Sequence, residues 1–206
     1  MLDVYDHWEA VYSDKDATEV SWYEATPAQS LRLIAEAELP LDAAILDMGG
    51  GASKLAAELV KLGYSDVTVA DISESGLRLA QRTLAAPDAV RWVEADVREH
   101  DFGGTFDLWH DRAVFHFMVE ETDRDAYLDV LRKTLSPRGH LVVATFGPNG
   151  PTRCSGLPVT RYGPEDLSEL LPDFKPVSSQ LAVHRTPAGN PQEFLYAHLV
   201  RVEASS

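Results

Sequence analysis

The stretch Ala43-Ala44-Ile45-Leu46-Asp47-Met48-Gly49-Gly50-Gly51-Ala52-Ser53-Lys54-Leu55, followed by Val67-Thr68-Val69-Ala70-Asp71-Ile72-Ser73, decides the fold. An apolar run around Ile45 and Leu46, short enough for a strand buried on both faces, runs straight into three glycines. Ser53 is placed to cap a helix that continues through Leu55 to Leu62, and Gly63 is placed to end it. A second apolar run closes on Asp71. Strand, glycine turn, helix, and a strand ending in an acid is the order that builds a nucleoside pocket at the carboxyl ends of parallel strands. The glycines let main chain approach a ligand closely. Asp71, roughly 20 residues beyond them, is where such folds set a carboxylate against ribose hydroxyls.

Glycine spacing narrows the choice of nucleoside. A dinucleotide fingerprint needs G-x-G-x-x-G, and here the third position falls on Lys54. A P-loop needs Gly-Lys-Ser/Thr at a fixed distance, which the chain lacks. Pyrophosphate binding is disfavoured, and with it a dehydrogenase.

Outward from this unit, element types alternate as in a doubly wound sheet. Strands are expected at Ala43–Met48, Val67–Ala70, Val90–Glu94, Phe106–His110 and His140–Phe146, with helices around 53–62, 75–85 and 123–135 between them. Ser136-Pro137-Arg138-Gly139 stops the last helix with turn chemistry. The first forty residues read as helical and aromatic. Beyond Gly147 a Pro- and Gly-dense stretch leads to a short helix near 165–171, then to two alternating runs, Lys175–His184 and Gln192–Val202, that read as an antiparallel pair.

Composition sets outer limits. A length of 206 residues suits one domain over 1–206, divided into an N-terminal aromatic lid (1–40), a core (41–146), and a loop with terminal strands (147–206). No apolar run reaches membrane-spanning length, and Met1–His7 lacks the character of a signal peptide. Cys154 is the only cysteine, so no internal disulfide is possible and a cytoplasmic monomer is the default expectation. With 33 acidic against 18 basic residues, the net charge of −15 disfavours nucleic acid and suits a small molecule or a basic protein.

The segment Asp47-Met48-Gly49-Gly50-Gly51 with Asp71 resembles motif I and the acidic loop of the class I S-adenosylmethionine (SAM) dependent methyltransferases, well over Ile45–Phe146 and more loosely at the flanks. That resemblance implies an α/β, Rossmann-like sheet of seven strands in the order 3-2-1-4-5-7-6, the last antiparallel, with helices on both faces. It implies SAM as cofactor and S-adenosylhomocysteine (SAH) as product. Gly49, Gly50 and Gly51 would line the methionyl part, Asp71 the ribose, Ile72 the adenine face, and Asp96 with the Val97 amide the adenine edge. Ser53 at the helix start and His110 at the end of the fourth strand complete the implied set. A closer likeness to the protein-lysine methyltransferase branch lies in Gly51-Ala52-Ser53-Lys54-Leu55, Gly63-Tyr64, Asp71-Ile72-Ser73 and the aromatic Trp8–Tyr12 and Val20–Tyr23; there Trp22 would close over the cofactor. After the fourth strand the chain departs from that branch, reading His110-Asp111-Arg112-Ala113-Val114-Phe115-His116-Phe117.

Chemistry is expected at this departure. Methyl transfer from a sulfonium needs an aligned, desolvated nucleophile and, for some acceptors, a base. Asp111 and His116 are the candidate bases, and Arg112 the candidate clamp for an anionic substrate. The 153–162 stretch is a second candidate surface, where Arg153 and Arg161 suit an anion and could lower the pKa of Cys154. No metal-ligand spacing is present, and His7, His184 and His198 stand alone. The expected activity is methyl transfer to a small molecule. A protein-lysine acceptor and a non-catalytic SAM/SAH-binding protein are the alternatives.

Overall fold

Ala44–Met48 (β1) lies at the centre of a sheet, between Asp66–Asp71 (β2) and Phe106–Arg112 (β4), parallel to both. The computed structural model describes residues 4–13 and 18–202; parts of the expected lid (1–3, 14–17) and the last four residues lie outside the described residues. Val90–Glu94 (β3) adds to β2, and Leu135–Phe146 (β5) to β4, again in parallel. Arg153–Cys154 (β6) and Leu157–Pro158 (β7) make a separate small hairpin. Phe174–Arg185 (β8) and Pro191–Arg201 (β9) complete the main sheet, whose order is β3-β2-β1-β4-β5-β9-β8, with β9 antiparallel to both neighbours. With the hairpin set aside, this is the seven-strand order that the resemblance implied.

Helices cover both faces. Side chains alternate along a strand, so Leu46 and Met48 meet one layer while Ile45 meets the other. Glu121–Thr134 (α5) and Pro164–Leu170 (α6) pack on the first face through Tyr127, Leu131 and Leu167. Ala28–Ala35 (α2), Leu55–Lys61 (α3) and Glu74–Gln81 (α4) bury Leu33, Leu59 and Leu77 against the second. Val4–Ser13 (α1) sits beside α4 at the carboxyl ends of the strands. The edge strand β8 leaves Val177, Leu181 and Val183 at least half exposed, at 53%, 50% and 62%.

Two of the boundaries that differ from expectation have a local cause. Helix α3 begins at Leu55, not Ser53: Lys54 holds the N-cap position at φ −101° and ψ 1°, outside helical values, and Ala52 in the loop before it is left-handed at φ +61°. Ser53 still contributes: its Oγ accepts from the Leu55 amide at 3.0 Å. Gly63, at φ +99°, ends the helix as read, with the Tyr64 amide returning to the Leu59 carbonyl at 3.1 Å. The expected turn at 136–139 is an irregularity within β5. Its register against β4 jumps from Phe106↔Leu135 to Leu108↔His140, and Arg138 has φ +66°.

Candidate functional site

The loop after β1 is held by main chain. The Gly49 and Gly50 amides both donate to the Ala70 carbonyl, at 2.7 and 3.2 Å, and Gly49 has φ +69°. The Gly51 amide donates to Asp71 Oδ2 and the Ser73 amide to Asp71 Oδ1, each at 2.9 Å. A Cβ on Gly49 would stand 2.0 Å from Val114 Cγ2, one on Gly50 2.6 Å from Asp47 Oδ2, and one on Gly51 2.5 Å from Asp71 Oδ2. These positions exclude side chains by contact. Burial pushes the Asp71 carboxyl up to about 6, against the pull of the Ser73 and Gly51 amides.

Above this loop opens a cavity of about 300 Å³ at the carboxyl ends of the strands. Asp71, Ile72, Asp96, Val97, Gly49 and Trp22 border it. A narrower cleft beside it is bordered by Gly49, Gly50, Gly51, Ser53, His110 and Trp22. Every residue of the implied cofactor set therefore faces one of two adjoining spaces. Asp96 is engaged within its own loop: it accepts from the Arg98 amide at 2.9 Å and from the Arg98 guanidinium at 2.6 Å. Burial alone would raise its pKa, but Arg98 holds it below the ordinary carboxylate value.

The N-terminal segment roofs both spaces. Tyr12 donates to the Gly51 carbonyl at 3.2 Å, and Glu9 accepts from Ser73 Oγ at 2.6 Å and the Ser75 amide at 3.2 Å. Those bonds overcome burial and keep Glu9 below its ordinary pKa. Trp8 packs on Phe117 and Trp22 with ring centroids 5.1 and 5.7 Å apart. Residues 18–27 form a strap anchored by side chains from other elements. Arg112 Nη1 donates to the Trp22 carbonyl at 2.9 Å, Lys54 Nζ to Tyr23 Oη at 3.1 Å, and His184 Nε2 to the Ser21 carbonyl at 2.8 Å. Glu9, Lys54 and His184 were not singled out in the sequence. Only their distant partners give them a role, and His184 does not stand alone. Nor does His198, whose Nε2 lies 2.8 Å from His140 Nδ1.

Residues 45–139 match a family model described as a methyltransferase domain. A SAM-dependent methyltransferase from Anabaena variabilis superposes with a TM-score of 0.77 at 18% identity, over 98% of this chain and 96% of that one. The 1,6-didemethyltoxoflavin-N1-methyltransferase of Burkholderia thailandensis, solved with 1,6-didemethyltoxoflavin and SAH, is 26% identical with a TM-score of 0.69, over 97% of this chain and 84% of that one. Residues 45–139 are thus similar to a methyltransferase domain, on a fold shared with SAM-dependent methyltransferases of known structure. Its curated relatives are matched in part. Mouse EEF1A lysine methyltransferase 2 is 33% identical over 91 residues, which is 40% of this chain and 37% of the relative. The malonyl-[acyl-carrier protein] O-methyltransferase of Halalkalibacterium halodurans is 32% identical over 111 residues, 52% of this chain and 40% of the relative. The chain thus spans about two fifths of the length of these relatives.

SAM, the cofactor that the resemblance implies, fits the residues present. The glycine cradle admits no side chain, and two buried polar atoms beside it, Asp47 Oδ2 and Arg112 Nη2, have no partner. Among the described residues, no three His, Cys, Asp or Glu groups gather as a metal site.

The fold separates the three candidate catalytic residues. Asp111 is fully buried: Oδ1 accepts from the Val114 amide at 2.9 Å, and Oδ2 from the Phe115 amide at 3.0 Å and the Tyr127 hydroxyl at 2.6 Å. It braces the turn after β4 and does not border the cavity. Burial raises its pKa to about 6 despite the Tyr127 bond. His116 is likewise enclosed, between Phe117 and Phe146. Its Nδ1 accepts from the Phe146 amide at 3.3 Å, and burial with the charge of Arg112 holds its pKa at about 3, so the ring is neutral. Arg112 alone reaches the cavity wall. Arg153 and Arg161 spend donors on the Gly156 and Gly150 carbonyls. Cys154 does border the cavity, but burial raises its thiol pKa, the opposite of activation.

Proposed function

We propose that this chain transfers the methyl group of SAM to a small, largely apolar acceptor enclosed beneath the N-terminal segment. One observation carries the reading. Beyond the cofactor positions, Trp8, Phe117, Met118, Cys154, Leu157 and Pro158 give the cavity wall a broad apolar stretch, with Trp8 in ring contact with Phe117 and Trp22, while Glu120 and Asp123 supply acidic groups at its border. A total of about 300 Å³ lies at the low end for ligand sites, which suits a compact acceptor lying against the cofactor.

Bound SAM supplies a methyl group on a positively charged sulfur that leaves as a neutral thioether. The protein's share is binding, alignment and exclusion of water. Asp71 accepts from the ribose hydroxyls, Ile72 lies against the adenine, and Asp96 with the Val97 amide reads its edge. Trp22 and Tyr12 cover the site from above. Asp111, through its bonds to the Val114 and Phe115 amides, fixes the turn that sets Val114 against Gly49. Asp111 and His116 are positioning residues in this scheme. Nucleophiles that arrive unprotonated at neutral pH, such as a carboxylate or a weakly basic amine, are the ones this wall suits.

A second reading, a protein-lysine acceptor, is favoured by the 33% identity to a lysine methyltransferase and by the net charge of −15. Calorimetric titration with SAM, SAH and NADH tests the cofactor: micromolar binding of both adenosyl ligands and none of NADH is expected. SAH release is then measured with basic peptides and with small aromatic amines, thiols and carboxylic acids. Turnover only with the peptides establishes the second reading. Tight SAM binding without turnover on any acceptor marks a non-catalytic binder.

A further inference from the structure

The sheet face that carries α5 and α6 is not covered to its edge. Directly opposed residues of an antiparallel pair share a face. The pairing of Leu181 with Leu195 and of Val183 with Glu193 therefore puts both β8 side chains on the side where β9 sends Leu195, Ala197 and Leu199 into the core. Those β9 residues are buried, but Leu181 and Val183 are half exposed or more. Length explains the difference. Helix α6 has seven residues and spans about 10 Å. Strand β8 has twelve and runs about 40 Å. The helix faces β8 around Pro176 and Ser179, and the strand beyond is left open.

Between the two lies a groove of about 410 Å³. Leu167, Pro176, Ala197 and Leu199 give it an apolar lining, and Glu165 and Glu169 are the charged residues on its border. These acids stand one helical turn apart, and among the described residues neither forms an ion pair or a hydrogen bond. Like charges at that spacing oppose each other, so a cation brought between them would stabilise α6. Ser179, on the same border, precedes Leu181 along one face of the strand. Groove and exposed row are thus one surface, apolar along its length and acidic on the helix side.

We propose that this surface docks an extended, basic segment of another protein, with apolar side chains at every second position. Alternate side chains of an extended chain point the same way, so one set packs on Leu181, Val183 and the groove lining. The long stems of the lysines or arginines between them lie over apolar surface and carry their charge to Glu165 and Glu169. An apolar patch rimmed by one sign of charge suits a partner of the opposite sign. A second copy of this chain is the poorer occupant, because it brings the same acids and a net charge of −15. The surface also reaches the acceptor side of the molecule. A Cβ on Gly147 would stand 3.0 Å from Leu181 Cδ2, so a docked segment rests beside the loop that leads into the β6–β7 hairpin.

The test is fluorescence anisotropy with labelled octapeptides on the full chain. The first alternates valine and arginine, the second has the same composition in two blocks, and the third alternates valine and glutamate. Arginine keeps the probe from serving as a lysine acceptor. The alternating basic peptide should bind at least about tenfold tighter than either control. Glu165→Gln with Glu169→Gln, and separately Leu181→Ser with Val183→Ser, should each weaken it by about tenfold while thermal melting stays unchanged. Equal binding of the block peptide, the mark of general attraction to an acidic protein, overturns the proposal. Undiminished binding in either double variant does the same. Sedimentation adds a further arm: a dimer that Leu181→Ser with Val183→Ser dissociates assigns the surface to a second copy and overturns it too. Neither measurement uses SAM, so failure here is distinct from failure of the proposed methyl transfer.

Discussion

The glycine loop presents its surface to the cavity with main chain, whereas the wall beyond β4 is assembled from side chains of α1, the 18–27 strap and the β6–β7 hairpin. In the first region, Gly49, Gly50, Gly51 and Asp71 are joined by amide donors from a continuous stretch, and any added Cβ meets an atom within 2.6 Å. In the second, Trp8, Trp22 and Phe117 meet through ring contacts between segments far apart in sequence. The difference teaches that the proposed cofactor side is fixed by close main-chain geometry in which an added side chain meets its neighbours at once. The acceptor side is fixed by packing, which can be altered one ring at a time.

Gly49→Val strikes the rigid side hardest. It combines a left-handed φ with a 2.0 Å contact and should cost roughly 3 kcal/mol or more of stability, with cofactor binding lost, as thermal melts with and without SAM would register. Asp111→Asn should cost about 2 kcal/mol of stability because three donors converge on that carboxylate. Loss of turnover at unchanged stability would move Asp111 back to the acceptor side and break the comparison.

Asp71→Asn should weaken SAM binding by roughly 1–3 kcal/mol. It also carries a pH signature. The Asp71 carboxyl, at about 6 when folded against an ordinary 3.8, holds its proton more tightly in the folded chain. Its contribution to stability is present below about pH 4 and lost as pH rises towards 6, so wild type should fall relative to Asp71→Asn by up to about 3 kcal/mol across that window. Parallel melting curves for the two proteins between pH 4 and 6 would contradict the buried state of this acid. Trp8→Ala, on the adaptable side, should raise the acceptor KM by roughly tenfold and leave SAM affinity within about twofold. An equal loss in both would merge the two regions into one.

Much of the first region was legible, because Ile45 to Ser73 carries strand, turn, helix and acid in unbroken order. The seven-strand order came from resemblance, since periodicity gives elements and not neighbours. The polar crowd on β4 divides for a specific reason. Side chains alternate along a strand, so His110 and Arg112 turn towards Ser30 and Trp22, while Asp111 turns towards Tyr127 on α5. Sequence proximity grouped what the pleat separates. The strap anchors Lys54 and His184 carried no local signal, because each acts on a backbone or hydroxyl group brought near only by folding.

The bare aliphatic row on β8 bears on how this protein behaves in a tube. An edge strand of 12 residues with Val177, Leu181 and Val183 uncovered invites strand addition by another chain. Pro176 withholds an amide from that edge, and Lys175 and Arg185 bracket it with charge. Long-range repulsion between molecules of charge −15 adds a second guard, but salt removes it, since screening shortens to about 3 Å at 1 M. Concentrated stocks in high salt are therefore where self-association should begin, with the proline and the two basic residues left to guard that margin.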